Sequence, residues 1–212
     1  MTRPVRLGIL TPSSNTVLEP LTTALAAEMP EVTLHFSRFR VTEIALSPGA
    51  LAQFDDAAVM QAAGLLADAK VDAVVWSGTS SSWLGFDRDL ALCRAIHAAT
   101  GILATSSILA LNEALEWLGV RRLALVTPYT DDVQARIAAN FAGIGIHCTA
   151  GRNLGLHDNF SFAEVTEAQL DLYQRPYALT VLAHGAAATE RMRSGVSVSQ
   201  FQAAQQRSTM VS

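Results

Sequence analysis

The sequence has few cysteines, few charged residues and no long apolar run, and each shortage excludes a class of protein. Cys93 and Cys148 are the only cysteines among 212 residues, which excludes a disulfide framework, and no Cys/His cluster has zinc-ligand spacing. Charged residues make up only 16% and no basic run occurs, so nucleic acid is not expected as a partner. No apolar stretch approaches the roughly 20 residues of a membrane-spanning helix.

The composition that remains is typical of a well-buried protein. Hydrophobic residues make up 50% of the chain and the formal net charge is -4. The opening residues, MTRPVRLGILTP, lack an apolar segment followed by a small-residue cleavage site, so we expect a cytoplasmic protein. Helices of low charge are candidate subunit contacts, and we therefore expect a homo-oligomer.

Short β-branched or aliphatic runs alternate with longer Ala- and Leu-rich segments along most of the chain. The short runs predict strands at 6–10, 33–39, 73–76, 122–126 and 144–149, with a weaker one at 179–182. The longer segments predict helices at 16–28, 49–69, 87–99, 107–118 and 131–143. Because parallel strands need a crossover that is usually a helix, the alternation predicts an α/β fold with parallel sheets flanked by helices.

Two predicted strand ends carry similar triplets, Leu-Thr-Pro at 10–12 and Val-Thr-Pro at 126–128. This repetition favours two related βα halves, residues 1–118 and 119–212, with a site between them at the carboxyl ends of the strands. The alternative is that strand, Thr-Pro and polar residues are a common way to begin a helix, since proline is tolerated in its first turn.

The loop after the first predicted strand, residues 11–16, is rich in hydrogen-bond donors. It contains Pro12, Ser13, Ser14 and Asn15. Backbone N–H groups at a helix N-terminus, together with Ser and Asn side chains, form a neutral cradle for a carboxylate. An ordinary helix cap needs the same residue types, so both interpretations stay open.

The loop after the third predicted strand, residues 77–82, contains more small polar residues than one cap requires. Gly78 permits close approach of the backbone to a ligand, and Thr79 and Ser80 supply hydroxyl and amide donors suited to an oxyanion. The chain contains no Gly-x-Ser-x-Gly nucleophile elbow and no glycine-rich phosphate fingerprint. The loop therefore predicts an anion-binding role without a serine nucleophile.

Two polar residues of the second half are further candidates. Tyr129 directly follows Pro128 at a predicted strand end, where its hydroxyl could donate to a developing anion, unless it is an ordinary core tyrosine. Asn159 lies within residues 156–164, LHDNFSFAE, whose aromatic residues we expect to anchor the loop in the core.

Four motifs in order resemble one family: PSSNT, SGTS, VTPY and NFSFAE, over about residues 5–170. Together they resemble maleate cis-trans isomerase and arylmalonate decarboxylase, in the aspartate/glutamate racemase superfamily. The resemblance implies two pseudo-symmetric Rossmann-like halves with a small dicarboxylate between them, and chemistry needing neither metal nor organic cofactor. It implies substrate contacts by Asn15, Tyr129 and Asn159, with Pro12 beside them.

The resemblance also implies a role for Gly78. Isomerases and racemases of the superfamily usually carry their first catalytic cysteine there, whereas arylmalonate decarboxylase has glycine followed by Thr and Ser, in a dioxyanion hole. Gly78, Thr79 and Ser80 reproduce that second pattern. They are therefore expected to bind the substrate.

The sequence departs from the family near its second catalytic cysteine. His184 stands at the matching place and could act as acid or base, or be an ordinary surface histidine. Cys93 and Cys148 do not match the catalytic position. From about residue 171 the chain is rich in Gln and Ser and resembles no element of the family, which a shifted reading frame or a truncated paralogue would explain.

Three functions follow as alternatives. The first is a cofactor-independent isomerase or racemase that converts a maleate-like dicarboxylate through an enolate-like or covalent intermediate, with Tyr129 and His184 in catalytic roles. The second is an arylmalonate-type decarboxylase, which Gly78, Thr79 and Ser80 favour. The third is an impaired paralogue that binds small carboxylates without turnover.

Overall fold

A computed structural model of the chain describes residues 3–166, which form two parallel β-sheets with helices between the strands. The larger sheet has the order β2-β1-β3-β4, with β1 (Val5–Pro12), β2 (Val32–Phe39), β3 (Ala73–Trp76) and β4 (Leu103–Ser106). The smaller sheet pairs β5 (Arg122–Thr127) with β6 (His147–Asn153). All strand pairings of these two sheets are parallel, which confirms the predicted α/β fold class.

Helices connect the strands of both sheets. The longest helix in residues 3–166 has 15 residues, and none in that range is long and apolar enough to cross a membrane. A single 3-10 turn, Ser161–Glu164, follows β6. The helices are α1 (Leu18–Ala26), α2 (Pro48–Ala52), α3 (Asp56–Asp68), α4 (Ser81–Leu84), α5 (Phe86–Thr100), α6 (Ser107–Trp117) and α7 (Asp131–Gly143).

The helix predicted at 49–69 is two helices, so that prediction was wrong. The Ser47 hydroxyl accepts a hydrogen bond from the N–H of Ala50 at the start of α2. The Asp55 carboxylate accepts one from the N–H of Ala57 at the start of α3. A second cap inside the apolar pattern begins a new helix, although the apolar spacing runs across the break.

The strand pattern also differs in two places. The sequence pattern does not predict β4, whose four residues include two small polar ones. The strand predicted at 144–149 begins later, at His147, because the chain leaves α7 through Gly145, which has a φ of 78°. The weak strand at 179–182, His184 and the tail from about residue 171 lie outside the described residues, and the division at 118/119 stays a prediction.

Side-chain contacts join the smaller sheet to the larger one. The side-chain amide of Asn140 on α7 donates to the carbonyl of Ser82 on α4 at 2.8 Å. The rings of Phe86 and Phe141 pack edge to face with centroids 5.3 Å apart. Phe141 is 2% exposed, and burying a side chain of this size contributes about 1.5–3 kcal/mol. These contacts hold the strand ends of the two sheets beside each other.

Candidate active site

A cavity of about 120 Å³ lies at the carboxyl ends of β1, β3 and β5. This is where ligands bind in open parallel sheets. Seven of the eight predicted site residues line it, and the eighth, His184, lies outside the described residues. The seven are Pro12, Asn15, Gly78, Thr79, Ser80, Tyr129 and Asn159.

The cavity wall in residues 3–166 is neutral. Its remaining lining residues are one serine and seven apolar or aromatic residues, so no charged side chain of this range contributes to it. No group of three acidic, His or Cys side chains in the same range could hold a metal ion. Recognition of an anion here would depend on uncharged hydrogen-bond donors. The remaining lining residues are Leu18, Val41, Ile44, Phe54, Trp76, Ser77, Trp83 and Phe162.

The loop after β1 is held by its own hydrogen bonds. The Ser14 hydroxyl donates to the carbonyl of Val41 at 2.6 Å. The Oδ1 atom of Asn15 accepts from the N–H groups of Val17 and Leu18 at 3.0 and 2.9 Å, so α1 begins at Leu18, two residues later than predicted. Asn15 is therefore a cap and a cavity residue at once, and its Nδ2 group has no hydrogen-bond partner within residues 3–166.

The loop after β3 contains hydrogen-bond donors that have no acceptor within residues 3–166. The Thr79 hydroxyl and the Tyr129 hydroxyl lie 2.5 Å apart, and either can donate to the other. No hydrogen bond joins the backbone N–H groups of Gly78, Thr79 or Ser80 to another backbone group within residues 3–166. Because two hydroxyls carry two protons and one is used between them, the pair retains one for a ligand.

Tyr129 is held by aromatic packing as well as by Thr79. Its ring packs edge to face against Trp83 and Phe162, with centroids 5.0 and 5.5 Å away. It is 8% exposed, and burial raises the pKa of its hydroxyl while the hydrogen bond with Thr79 lowers it by less. The hydroxyl therefore stays protonated at neutral pH and can act as a donor.

Asn159 joins the segment after β6 to the loop after β1. Its backbone N–H donates to the carbonyl of Thr42 at 2.9 Å. Its side-chain amide donates to the Ser14 hydroxyl at 2.7 Å. Phe162, three residues on, lines the cavity and packs against the core as expected, whereas Phe160 is 48% exposed and does not anchor the loop.

A buried carboxylate supports the loop after β3 from behind. The Ser81 hydroxyl donates to Asp89 at 2.7 Å, and Ser106 at the end of β4 also hydrogen-bonds to it. Asp89 is 2% exposed, and its burial raises the pKa of the carboxyl group more than these hydrogen bonds lower it. Asp89 thus ties α4, α5 and the end of β4 together.

Neither cysteine belongs to the cavity. Cys93 is buried in α5, where burial and the nearby Asp89 charge raise the pKa of its thiol to about 12. Cys148 is half-buried on β6, and burial raises its pKa too. Both thiols are therefore protonated at neutral pH, away from the lining residues, as the sequence pattern indicates.

The aromatic half of the cavity is what sequence reasoning missed. Trp76 and Trp83 are each 3% exposed and line the cavity together with Phe54, whose ring centroid lies 6.2 Å from that of Trp83. The Nε1 group of Trp83 is buried with no hydrogen-bond partner among residues 3–166. A tryptophan within or beside a polar strand-end loop is the signal that could have identified both.

The fold and the cavity together define a parallel α/β protein with a neutral cavity that is lined by hydrogen-bond donors. The sequence profile of the arylmalonate decarboxylase family matches residues 16–192, and the chain belongs to that family. It is 40% identical over 102 residues to arylmalonate decarboxylase of Bordetella bronchiseptica, covering 47% of this chain and 42% of that protein. It is 30% identical over 182 residues to maleate isomerase of Pseudomonas putida, covering 80% and 71%.

Solved structures of a maleate isomerase and of an arylmalonate decarboxylase are also similar to this chain. A maleate cis-trans isomerase variant from Nocardia farcinica, with a covalently bound succinylcysteine intermediate, has a TM-score of 0.73 and 28% identity, covering 81% of this chain and 72% of that one. A liganded variant of arylmalonate decarboxylase, with a glycine replaced by cysteine and a cysteine by serine, has a TM-score of 0.69 and 28% identity, covering 82% and 72%. The resemblance inferred from the four motifs is confirmed. The chain nevertheless spans less than half of the Bordetella protein.

Proposed function

We propose that this chain is a cofactor-independent enzyme that binds a small dicarboxylate and stabilises an enolate-like anion formed from it. The observation that carries the proposal is the convergence of neutral donors from three strand ends and the segment after β6 on one cavity. The cavity of about 120 Å³ is partly open to solvent, so it can hold the carboxylates of a small di-acid while a larger substituent such as phenyl extends toward the opening. Similarity to proteins named for arylmalonates and for maleate supports the same substrate class.

The donors at the end of β3 would stabilise the anion. The free proton of the Thr79–Tyr129 pair and the N–H groups of Gly78, Thr79 and Ser80 surround a place where a carboxylate could become an enediolate. Donors fixed before the reaction need no reorganisation when negative charge develops. Removing one such donor typically lowers the rate by about 10²- to 10³-fold.

Decarboxylation of a malonate-type di-acid is the reaction that the described residues support best. The bond between the α-carbon and one carboxylate breaks, carbon dioxide leaves, and the electron pair passes into the remaining carboxylate as an enediolate. This step needs anion stabilisation but no nucleophile, and neither cysteine lines the cavity. The α-carbon then takes a proton, and we propose His184 for that transfer.

Isomerisation of maleate is the second candidate. It is favoured by the maleate isomerase of Pseudomonas putida, of which the match covers 71%. The Nocardia farcinica isomerase structure contains a succinylcysteine intermediate, so that protein forms a bond between cysteine and substrate. With no thiol at this cavity, the same route here would need a different nucleophile, and binding without turnover is the third candidate.

Proton NMR in deuterated water separates these functions. Incubation with phenylmalonate should give phenylacetate carrying deuterium at the α-carbon. Conversion of maleate to fumarate, with phenylmalonate unchanged, would instead establish the isomerase. Calorimetric binding of both acids without turnover would establish the binding protein, and no binding of either would overturn the proposal.

We also propose that the protein is cytoplasmic, homo-oligomeric and does not bind nucleic acid. The net charge of -4 opposes binding to phosphate backbones. Exposed apolar side chains, including Leu21, Leu25 and Trp117, are candidate subunit contacts. Light scattering after size-exclusion chromatography tests the assembly, and a monomeric mass would contradict it.

A further inference from the structure

The indole ring of Trp76 occupies the space that a side chain at position 78 would fill. A Cβ atom at Gly78 would lie 2.5 Å from Cε2 and 2.6 Å from Cη2 of Trp76, and closer still to Cζ2. Non-bonded carbon atoms are most stable about 3.5–4.0 Å apart. Even alanine at position 78 therefore requires the ring to move.

The ring has little room to move. Trp76 is 3% exposed and ends β3, which is paired with β1 on one side and β4 on the other. The ring of Phe39 packs against it with centroids 4.9 Å apart. Well-packed cores resist such shifts, and overpacking of this kind is destabilising.

The same ring fixes the hydrogen-bonding role of Ser80. The Nε1 group of Trp76 lies 3.3 Å from the Ser80 hydroxyl oxygen. An indole N–H can only donate, so the Ser80 oxygen must accept this bond. The proton of the Ser80 hydroxyl is then left for another acceptor, and Ser80 lines the cavity.

We propose that Trp76 is a specificity-determining and positioning residue. Its ring excludes a side chain, and therefore a thiol, from position 78, and its N–H turns the Ser80 hydroxyl into a donor toward the bound carboxylate. The steric part depends only on the packing of Trp76 against Gly78. The part that concerns Ser80 rests on the proposed function, so the two parts have separate tests.

Thermal unfolding of the full chain tests the steric part. Gly78→Ala and Gly78→Cys should each lower Tm by roughly 4–10 °C. Gly64→Ala is the matched control, because a Cβ there meets nothing within 4 Å and Tm should not fall. In a Trp76→Phe background, the added cost of Gly78→Ala should shrink, which is a coupling between contacting residues.

Two results would overturn the steric part. The first is a Gly78→Ala variant as stable as the wild type, which decides the matter even if Trp76→Phe does not fold. The second is full additivity of Trp76→Phe and Gly78→Ala.

Kinetics test the Ser80 part. With phenylmalonate, Trp76→Phe should lower kcat by about tenfold, and it should have no further effect on kcat in a Ser80→Ala background. Equal effects of Trp76→Phe in both backgrounds would show that the tryptophan does not act through Ser80. If the wild type neither binds nor converts phenylmalonate or maleate, the proposed function and the Ser80 part fail together, while the unfolding data still decide the steric part.

Discussion

The loops after β1 and β3 line the same cavity, but their polar groups are used differently. After β1, the Ser14 hydroxyl donates to a backbone carbonyl and accepts from Asn159, and Oδ1 of Asn15 caps α1. After β3, the Thr79–Tyr129 pair retains a proton and several backbone N–H groups are unused within residues 3–166. Two polar strand-end loops can thus differ, since one uses its side chains to hold structure and the other leaves donors without a partner in the described residues.

The largest expected effect comes from removing both hydroxyls of the pair. Thr79→Val combined with Tyr129→Phe should lower kcat/KM for phenylmalonate at least about 100-fold, because no proton is then offered from this position. Steady-state kinetics measure the loss. Thr149→Val on β6 is the matched control, because Thr149 is not among the lining residues, and an equal loss of kcat/KM in that variant would contradict the prediction.

The single variants should identify which hydroxyl faces the ligand. One hydroxyl of the pair donates to the ligand, and the variant that removes it should lose nearly as much kcat/KM as the double variant. The other hydroxyl only orients its neighbour, so the variant that removes it should lose kcat/KM only several-fold. Equal and multiplicative losses in Thr79→Val and Tyr129→Phe would indicate two independent donors, contrary to the single retained proton.

Asn15 tests whether the loop after β1 has a ligand role besides its structural one. Asn15→Ala removes the cap and should lower the free energy of unfolding by about 1 kcal/mol, whereas Asn15→Asp retains the acceptor and should not. Both variants lose the amide donor, and Asp also repels a dicarboxylate, so both should bind malonate more weakly. Urea unfolding and calorimetry separate the two effects, and unchanged affinity in both variants would make Asn15 a cap alone.

The smallest expected effect is the pH dependence of stability that comes from Asp89, which supports the loop after β3. The pKa of Asp89 is raised by burial, so in the unfolded chain this carboxyl ionises at lower pH than in the folded one. Its contribution to stability is complete below the unfolded pKa and is lost as pH rises through the folded pKa. Relative to Asp89→Asn, the wild type should therefore lose stability from about pH 4 upward. Urea unfolding across that range measures the slope, and parallel curves would contradict it.

Sequence patterns located the polar half of the cavity because its residues follow strands directly. Asn15 and Thr79 follow parallel strands of one sheet and therefore meet at its carboxyl edge, whereas Tyr129 follows β5 of the smaller sheet and joins them through the packing between the two sheets. Trp76 and Trp83 were not predicted because an apolar residue in a strand or helix does not show which buried space its ring enters. For the same reason the sequence does not show that Asn15 both caps α1 and lines the cavity, because this depends on the direction in which each end of its amide points.

Breaks in the elements were also hidden from the pattern. The separate helices α2 and α3 share one apolar spacing, and only the caps at Ser47 and Asp55 divide them. The start of β6 depends on the turn through Gly145, which shifts the strand toward the C-terminus. The roles assigned to the cavity residues stay predictions, and His184 lies outside the described residues.

Calorimetric titration with malonate is the sharpest test of whether the uncharged donors of this cavity converge on a dicarboxylate. The wild type should bind one malonate per chain, and the Thr79→Val, Tyr129→Phe double variant should bind it at least about tenfold more weakly at unchanged Tm. Absence of binding to the wild type, or undiminished affinity in the double variant, would contradict the account.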